Sequence, residues 1–122
     1  MPVIVDISPA QLDSLIASGC ALIDIRSAED FSGGHVPGAV NVPANSLKSD
    51  PGRITSLLSD ASSPALVLVC MRGHTSRRIA VELANAPGFT DLPGISGLDA
   101  IHSLDGGTVA WERSGRPLTD ES

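Results

Sequence analysis

The chain has 122 residues, enough for one hydrophobic core without disulfide or metal staples, and residues 1–122 are expected to form a single domain. Eight basic and fourteen acidic residues leave a formal charge of −6, which speaks against a nucleic-acid partner, since phosphate binding needs a basic face. No apolar run approaches the roughly 18 residues of a membrane span, and MPVIVDISPAQ lacks the parts of a signal peptide, so a cytoplasmic protein with no membrane attachment is expected. Cys20 and Cys70 are too few and too far apart for a secreted disulfide framework, and both are expected to be reduced.

Along the chain, short β-rich runs alternate with amphipathic segments, the order of a parallel α/β sheet. Val3–Ile7 predicts a first strand. Ser8 and Pro9 then supply an N-cap and first-turn residue for a helix carrying Leu12, Leu15 and Ile16, which Gly19 ends. Ala21–Ile25 predicts the second strand, and Ser27 caps one or two helical turns over Ser27–Phe31, with Asp30 three residues on. Gly38–Val42, between two prolines, predicts a short third strand. Helical spacing returns across Asn45–Ser59, broken early by Pro51–Gly52.

Ala65–Cys70 shows no alternation, so it is expected to be a central strand covered on both faces. The helix after it carries Ile79 with Leu83 and Ala80 with Ala84, and stops near Pro87–Gly88. Gly88–Leu98 is rich in turn residues and reads as a mobile loop; Asp99–Leu104 predicts the last strand, and a short helix surrounds Trp111, a core anchor. The tail TDES is expected to fray.

Cys70 stands at the C-terminal end of the predicted central strand, the edge where open α/β sheets place ligands. A free thiol titrates near about 8.5. Here Arg72 adds a fixed positive charge, His74 a titratable one, and the next helix presents unpartnered N–H groups and the positive end of its dipole. Gly73 allows the bend that lets successive N–H groups converge, with Thr75 and Ser76 as expected helix caps. The plain alternative is a small buried hydrophobe. Cys20 lacks such surroundings and reads as structural. Arg77 and Arg78 are either surface charges or part of the field at the loop.

CMRGHTS (Cys70–Ser76) resembles the active-site loop of the rhodanese family, of form C-x-x-G-x-[RT]-[ST]. LIDIRSAEDFSGGHVPGAVNVP (Leu22–Pro43) and LDGGTVAWERSGRPL (Leu104–Leu118) are similar to two further blocks of that family, in the same order. The resemblance implies a three-layer α/β fold with a central parallel sheet of about five strands flanked by helices. It implies a sulfurtransferase carrying sulfane sulfur as a persulfide on Cys70, from thiosulfate or a similar small anion to cyanide or a thiol, with no metal or organic cofactor. Met71, Arg72, Gly73, His74, Thr75 and Ser76 would form the anion-binding loop: the N–H groups of Arg72 to Ser76 would hold the thiolate and persulfide, Arg72 the dianionic donor, and the hydroxyl of Thr75 or Ser76 the sulfur. Asp24, Arg26 and His35 match signature positions and read as structural support. Two departures stand out: Thr75 where many members carry Arg, and a long Phe89–Gly106 segment that could reshape the entrance.

Three rivals are weighed against this. A phosphatase of related fold needs C-x5-R, whereas the sixth residue after Cys70 is Ser76, so no aryl-phosphate turnover is expected. A sulfur-relay module would take its sulfur from a protein partner. A metal held by Cys70, His74 and His102 is the weakest, because the ligand spacing of such sites is absent.

Overall fold

The computed structural model describes residues 2–120. Five strands, β1 (Val3–Ile7), β2 (Ala21–Asp24), β3 (Val40–Asn41), β4 (Leu66–Val69) and β5 (Ala100–Leu104), form one parallel sheet in the order β1-β5-β4-β2-β3. Six α-helices alternate with them: α1 (Pro9–Ala17), α2 (Ala28–Ser32), α3 (Ala44–Ser49), α4 (Gly52–Asp60), α5 (His74–Asn85) and α6 (Gly107–Arg113), with a 3-10 turn at Phe89–Asp91.

Strand β4 owes its central place to its composition. All four side chains of LVLV are buried, two under each layer of helices, which explains the absence of polar alternation. Leu66, Leu68 and Cys70 share one face with Ile23, Ile25 and Ile101, covered by α3, α4 and α5; Val67 and Val69 share the other with Leu22 and Leu104, covered by α1 and α6. Three layers result.

The helix boundaries follow from local chemistry. Ser8 and Gln11 make a reciprocal capping box at the start of α1, and the Ser27 hydroxyl accepts from the Asp30 N–H at the start of α2. Pro51 splits the predicted Asn45–Ser59 helix into α3 and α4. Strand β3 keeps only two of its five expected residues. Asn41 directs its side-chain amide to the carbonyls of Asp24 and Arg26, and Pro43, which has no N–H to give a ladder, follows directly after Val42.

Two further expectations change. The Gly88–Leu98 segment is not loosely attached: Phe89, Ile95 and Leu98 are buried in the α3–α5 core. It joins the end of α5 to the start of β5, at the sheet edge opposite Cys70, whereas the far end of the long Phe89–Gly106 segment, Asp105 and Gly106, borders the loop beside Arg72 and His74. Near the C-terminus, Thr119 pairs with His35 through two backbone hydrogen bonds of 2.8 Å, so the tail is held at that point. The last two residues of the predicted frayed TDES, Glu121 and Ser122, lie outside the described residues.

Candidate active site

Cys70 leaves the C-terminal end of β4 and is 5% exposed. Three residues later the chain must turn sharply, and Gly73 supplies a φ of +91°. A Cβ there would stand 2.9 Å from the Gly106 N and 3.0 Å from the Leu104 carbonyl oxygen, so conformation and space both demand glycine. The turn aims the Gly73 N–H at Cys70 Sγ, at 3.1 Å. Helix α5 starts at once, and its third residue, Ser76, directs a second N–H to the same sulfur at 3.3 Å.

Gly73 itself is therefore the N-cap, and no side chain caps α5. Thr75 and Ser76, expected as caps, are inside the helix. The reason is that the amides they would have covered are turned toward the sulfur. Losing a side-chain cap costs about 1 kcal/mol, whereas burying Ile79 and Leu83 together contributes roughly 3–6 kcal/mol. Core packing thus holds the uncapped end in place.

Of the N–H groups expected to converge, those of Gly73 and Ser76 reach Sγ. The Ser76 hydroxyl is the third polar group there, with Oγ 3.3 Å from Sγ, 3.2 Å from the Gly73 carbonyl oxygen and 2.7 Å from the Ser103 hydroxyl. Thr75 is exposed and makes no hydrogen bond to the sulfur among the described residues. A cavity of about 220 Å³ opens beside the thiol, lined by Cys70, Met71, Arg72, His74 and Thr75. Arg72 has no ion pair among the described residues, so its charge is available to an anion in the cavity. Arg77 and Arg78 are surface charges: the first pairs with Asp6 at 3.0 Å, the second with Glu82 at 3.2 Å.

The loop is gripped from behind. The first N–H groups of α6, those of Thr108 and Val109, donate to the carbonyls of Cys70 and Met71 at 3.0 and 3.1 Å. At Gly107, with φ +58°, any side chain would collide with those carbonyls.

Asp24, Arg26 and His35 form a separate buried cluster. Asp24 is wholly buried and accepts from the Arg26 guanidinium at 2.8 Å, and from the Arg26 N–H at 3.0 Å. Arg26 also donates to the Gly34 carbonyl at 2.6 Å, and His35 stacks on Phe31, with Nδ1 2.9 Å from its carbonyl oxygen. These contacts join the end of β2 to the approach to β3, one strand over from Cys70. Trp111 is buried and donates to the Pro117 carbonyl at 2.9 Å. His102 sits on β5 with Nδ1 3.1 Å from the Leu66 carbonyl oxygen, at the far end of β4 from Cys70, and among the described residues no three His, Cys, Asp or Glu side chains are grouped to hold a metal.

Sequence reasoning passed over Ser103 and Thr108. Ser103 carries a faint signal, a polar residue between Ile101 and Leu104 in an otherwise buried strand, but its partner emerges only from the packing of α5 on β5.

The model of the Rhodanese-like domain matches residues 8–114. The thiosulfate sulfurtransferase GlpE of Stutzerimonas stutzeri is 31% identical over 108 residues, covering 88% of this chain and 84% of the relative. The protein of the same name from Pseudomonas savastanoi pv. phaseolicola is 30% identical over 105 residues, covering 86% and 84%. Among solved structures, a thiosulfate sulfurtransferase from Pseudomonas aeruginosa superposes with a TM-score of 0.71 at 26% identity, over 98% of this chain and 20% of that one.

Proposed function

The chain belongs to the rhodanese-like domain family, and from that premise we propose that it is a sulfurtransferase moving sulfane sulfur from thiosulfate, or a similar small anion, to a thiophilic acceptor through a persulfide on Cys70. One observation carries the reading: the N–H groups of Gly73 and Ser76 and the Ser76 hydroxyl converge on Cys70 Sγ within 3.3 Å. Fixed donors around one sulfur favour its anionic forms.

In the first step the Cys70 thiolate attacks the outer sulfur of thiosulfate. The S–S bond of the donor breaks, sulfite leaves with the bonding pair, and the negative charge passes to the terminal sulfur of the new persulfide. In the second step cyanide or a thiolate attacks that sulfur, the Sγ–S bond breaks, and Cys70 returns as thiolate. This double displacement gives ping-pong kinetics. The loop donors hold Sγ before and after each transfer, and Arg72 on the cavity wall offsets the donor's charge. Asp24, Arg26 and His35 act as structural support for the strand ends beside the loop. The two unpaired cysteines suit a reducing compartment, so we place the protein in the cytoplasm.

A relay variant of this reading, in which a protein partner delivers or takes the sulfur, is favoured by Met71, a large apolar side chain 45% exposed on the cavity wall. The deciding experiment is a thiosulfate:cyanide assay of wild type beside Cys70→Ala. Thiocyanate formed by the wild type and lost in the variant supports the small-molecule donor. No thiocyanate, but a persulfide on Cys70 by mass spectrometry after exposure to a persulfidated protein, supports the relay. Neither product, or turnover of an aryl phosphate, overturns both.

A further inference from the structure

We propose that Ser103 is a positioning residue for the candidate nucleophile, acting through Ser76: its hydroxyl donates to Ser76 Oγ and thereby leaves the Ser76 proton free to turn onto the Cys70 thiolate. The inference rests on the reading of Cys70 as the reacting group. It concerns a residue on a different strand from the loop, outside its seven-residue motif.

The available hydrogens fix the direction of the bond. Ser76 and Ser103 are both fully buried, and their oxygens are 2.7 Å apart. Among the described residues the Ser103 hydroxyl has this one hydrogen bond, so unless it is the donor its proton is buried without a partner. A buried donor left unmade has lost its bond to water and gained nothing in exchange. With Ser103 donating, Ser76 Oγ accepts, and its own single proton has two places to go. One is the Gly73 carbonyl, at 3.2 Å; the other is Sγ, at 3.3 Å.

The protonation of Cys70 selects between them. As a thiol, Cys70 donates to Ser76 Oγ, and the Ser76 proton faces the Gly73 carbonyl. When the thiol proton has left to solvent, the sulfur is an acceptor, and the Ser76 hydroxyl rotates onto it. The Gly73 carbonyl is not orphaned, because the Arg77 N–H donates to it at 3.2 Å. Rotation therefore exchanges one acceptor for another at little cost. If Ser103 instead took the Ser76 proton, the thiolate would keep only its two N–H donors.

Placement suits this role. Ser103 pairs in register with Leu68 on β4, two residues before Cys70 and on the same sheet face, so the sheet ladder sets the distance between β5 and the thiol. Other charged groups surround the loop rather than the relay. Arg72 and His74 line the cavity, with Arg113 of α6, Asp105 after β5 and the Arg77–Asp6 pair of α5 and β1 in the adjoining hollows. These are the same in wild type and in Ser103 variants, so a difference between their pH profiles isolates the hydroxyl.

The test is the pH dependence of iodoacetamide alkylation at Cys70, followed on its own peptide by mass spectrometry so that Cys20 is counted apart. Ser103→Ala leaves Ser76 its proton but removes the bond that fixes Oγ and strengthens its O–H as a donor, so the midpoint is expected to move to higher pH and alkylation below it to slow by about two- to threefold. Ser103→Thr and Ser103→Val carry the same added bulk and differ in the hydroxyl. Thr is expected to follow wild type, and Val to follow Ala. An Ala profile superposed on wild type, or Thr and Val behaving alike, overturns the proposal. The readout needs no sulfur transfer: a shifted profile in a protein that forms no thiocyanate would reject the proposed function and uphold the role of Ser103.

Discussion

The two cysteines stand at opposite ends of the same sheet, in different surroundings. Cys20 precedes β2, half-buried beside a cavity of about 430 Å³, and burial pushes its thiol up from the ordinary value. Cys70 follows β4 and is the more buried of the two, beside a cavity of about 220 Å³. Cys20 thus has the larger hollow and the easier access. What Cys70 has and Cys20 lacks is two N–H groups aimed at its sulfur, with the Ser76 hydroxyl 3.3 Å away.

The widest separation is expected in turnover. Cys70→Ser should lower thiocyanate formation at least about 10³-fold, since the proposed persulfide would have no other seat, and Cys20→Ser should stay within about twofold. Equal losses would erase the distinction. A matched pair of glycines tests geometry in place of chemistry. Gly73→Ala forces a left-handed residue against the Gly106 and Leu104 backbone and should cost about 10²-fold in kcat, because the Gly73 N–H loses its aim. Gly19→Ala, at φ +82° and 2.7 Å from Ser62 Cβ, should lower the melting temperature and leave kcat of the folded enzyme within about twofold.

How much of this contrast the amino-acid order reveals depends on whether the cause is local. The apolar run ending at Cys70 marks the central strand because burial on both faces forbids alternation there. The glycine three residues on marks the turn for an equally local reason, its backbone conformation. The α5 cap could not be read that way. Thr75 and Ser76 look like caps in isolation, and only the position of the sulfur explains why Ser76 serves it from within the helix. Strand β3 is two residues long, and the Asn41 side chain ties it to carbonyls 15 and 17 positions away, a contact that no local pattern announces. Residues Phe89, Ile95 and Leu98 look like loop in a turn-rich stretch, yet they fill a core assembled from distant helices. Ser103 is the extreme case, joined to Ser76 across 27 positions.

Two smaller effects sharpen the comparison. At pH 7 iodoacetamide should label Cys70 at least about tenfold faster than Cys20, whose thiol is pushed up by burial. Peptide mapping over time measures the ratio, and a faster Cys20 would show that access outweighs the donors. Arg72→Ala should raise KM for thiosulfate by about three- to tenfold with kcat within about twofold, as for a charge that binds the donor without touching the bond that breaks. An unchanged KM would turn the Arg72 side chain away from the donor.

The grip of α6 on the Cys70 and Met71 carbonyls ties the readiness of the thiol to the order of chain assembly. Both amides come from residues 108 and 109, near the end of the chain, and β5 must first dock between β1 and β4 to bring them there. A growing chain that stops short of this point holds Cys70 on an unbraced loop, with Ser103 and the α6 amides not yet delivered. The shape of the loop around Cys70 is therefore set from behind by residues more than thirty positions later, and a chain cut before residue 107 would lose both of these amide braces.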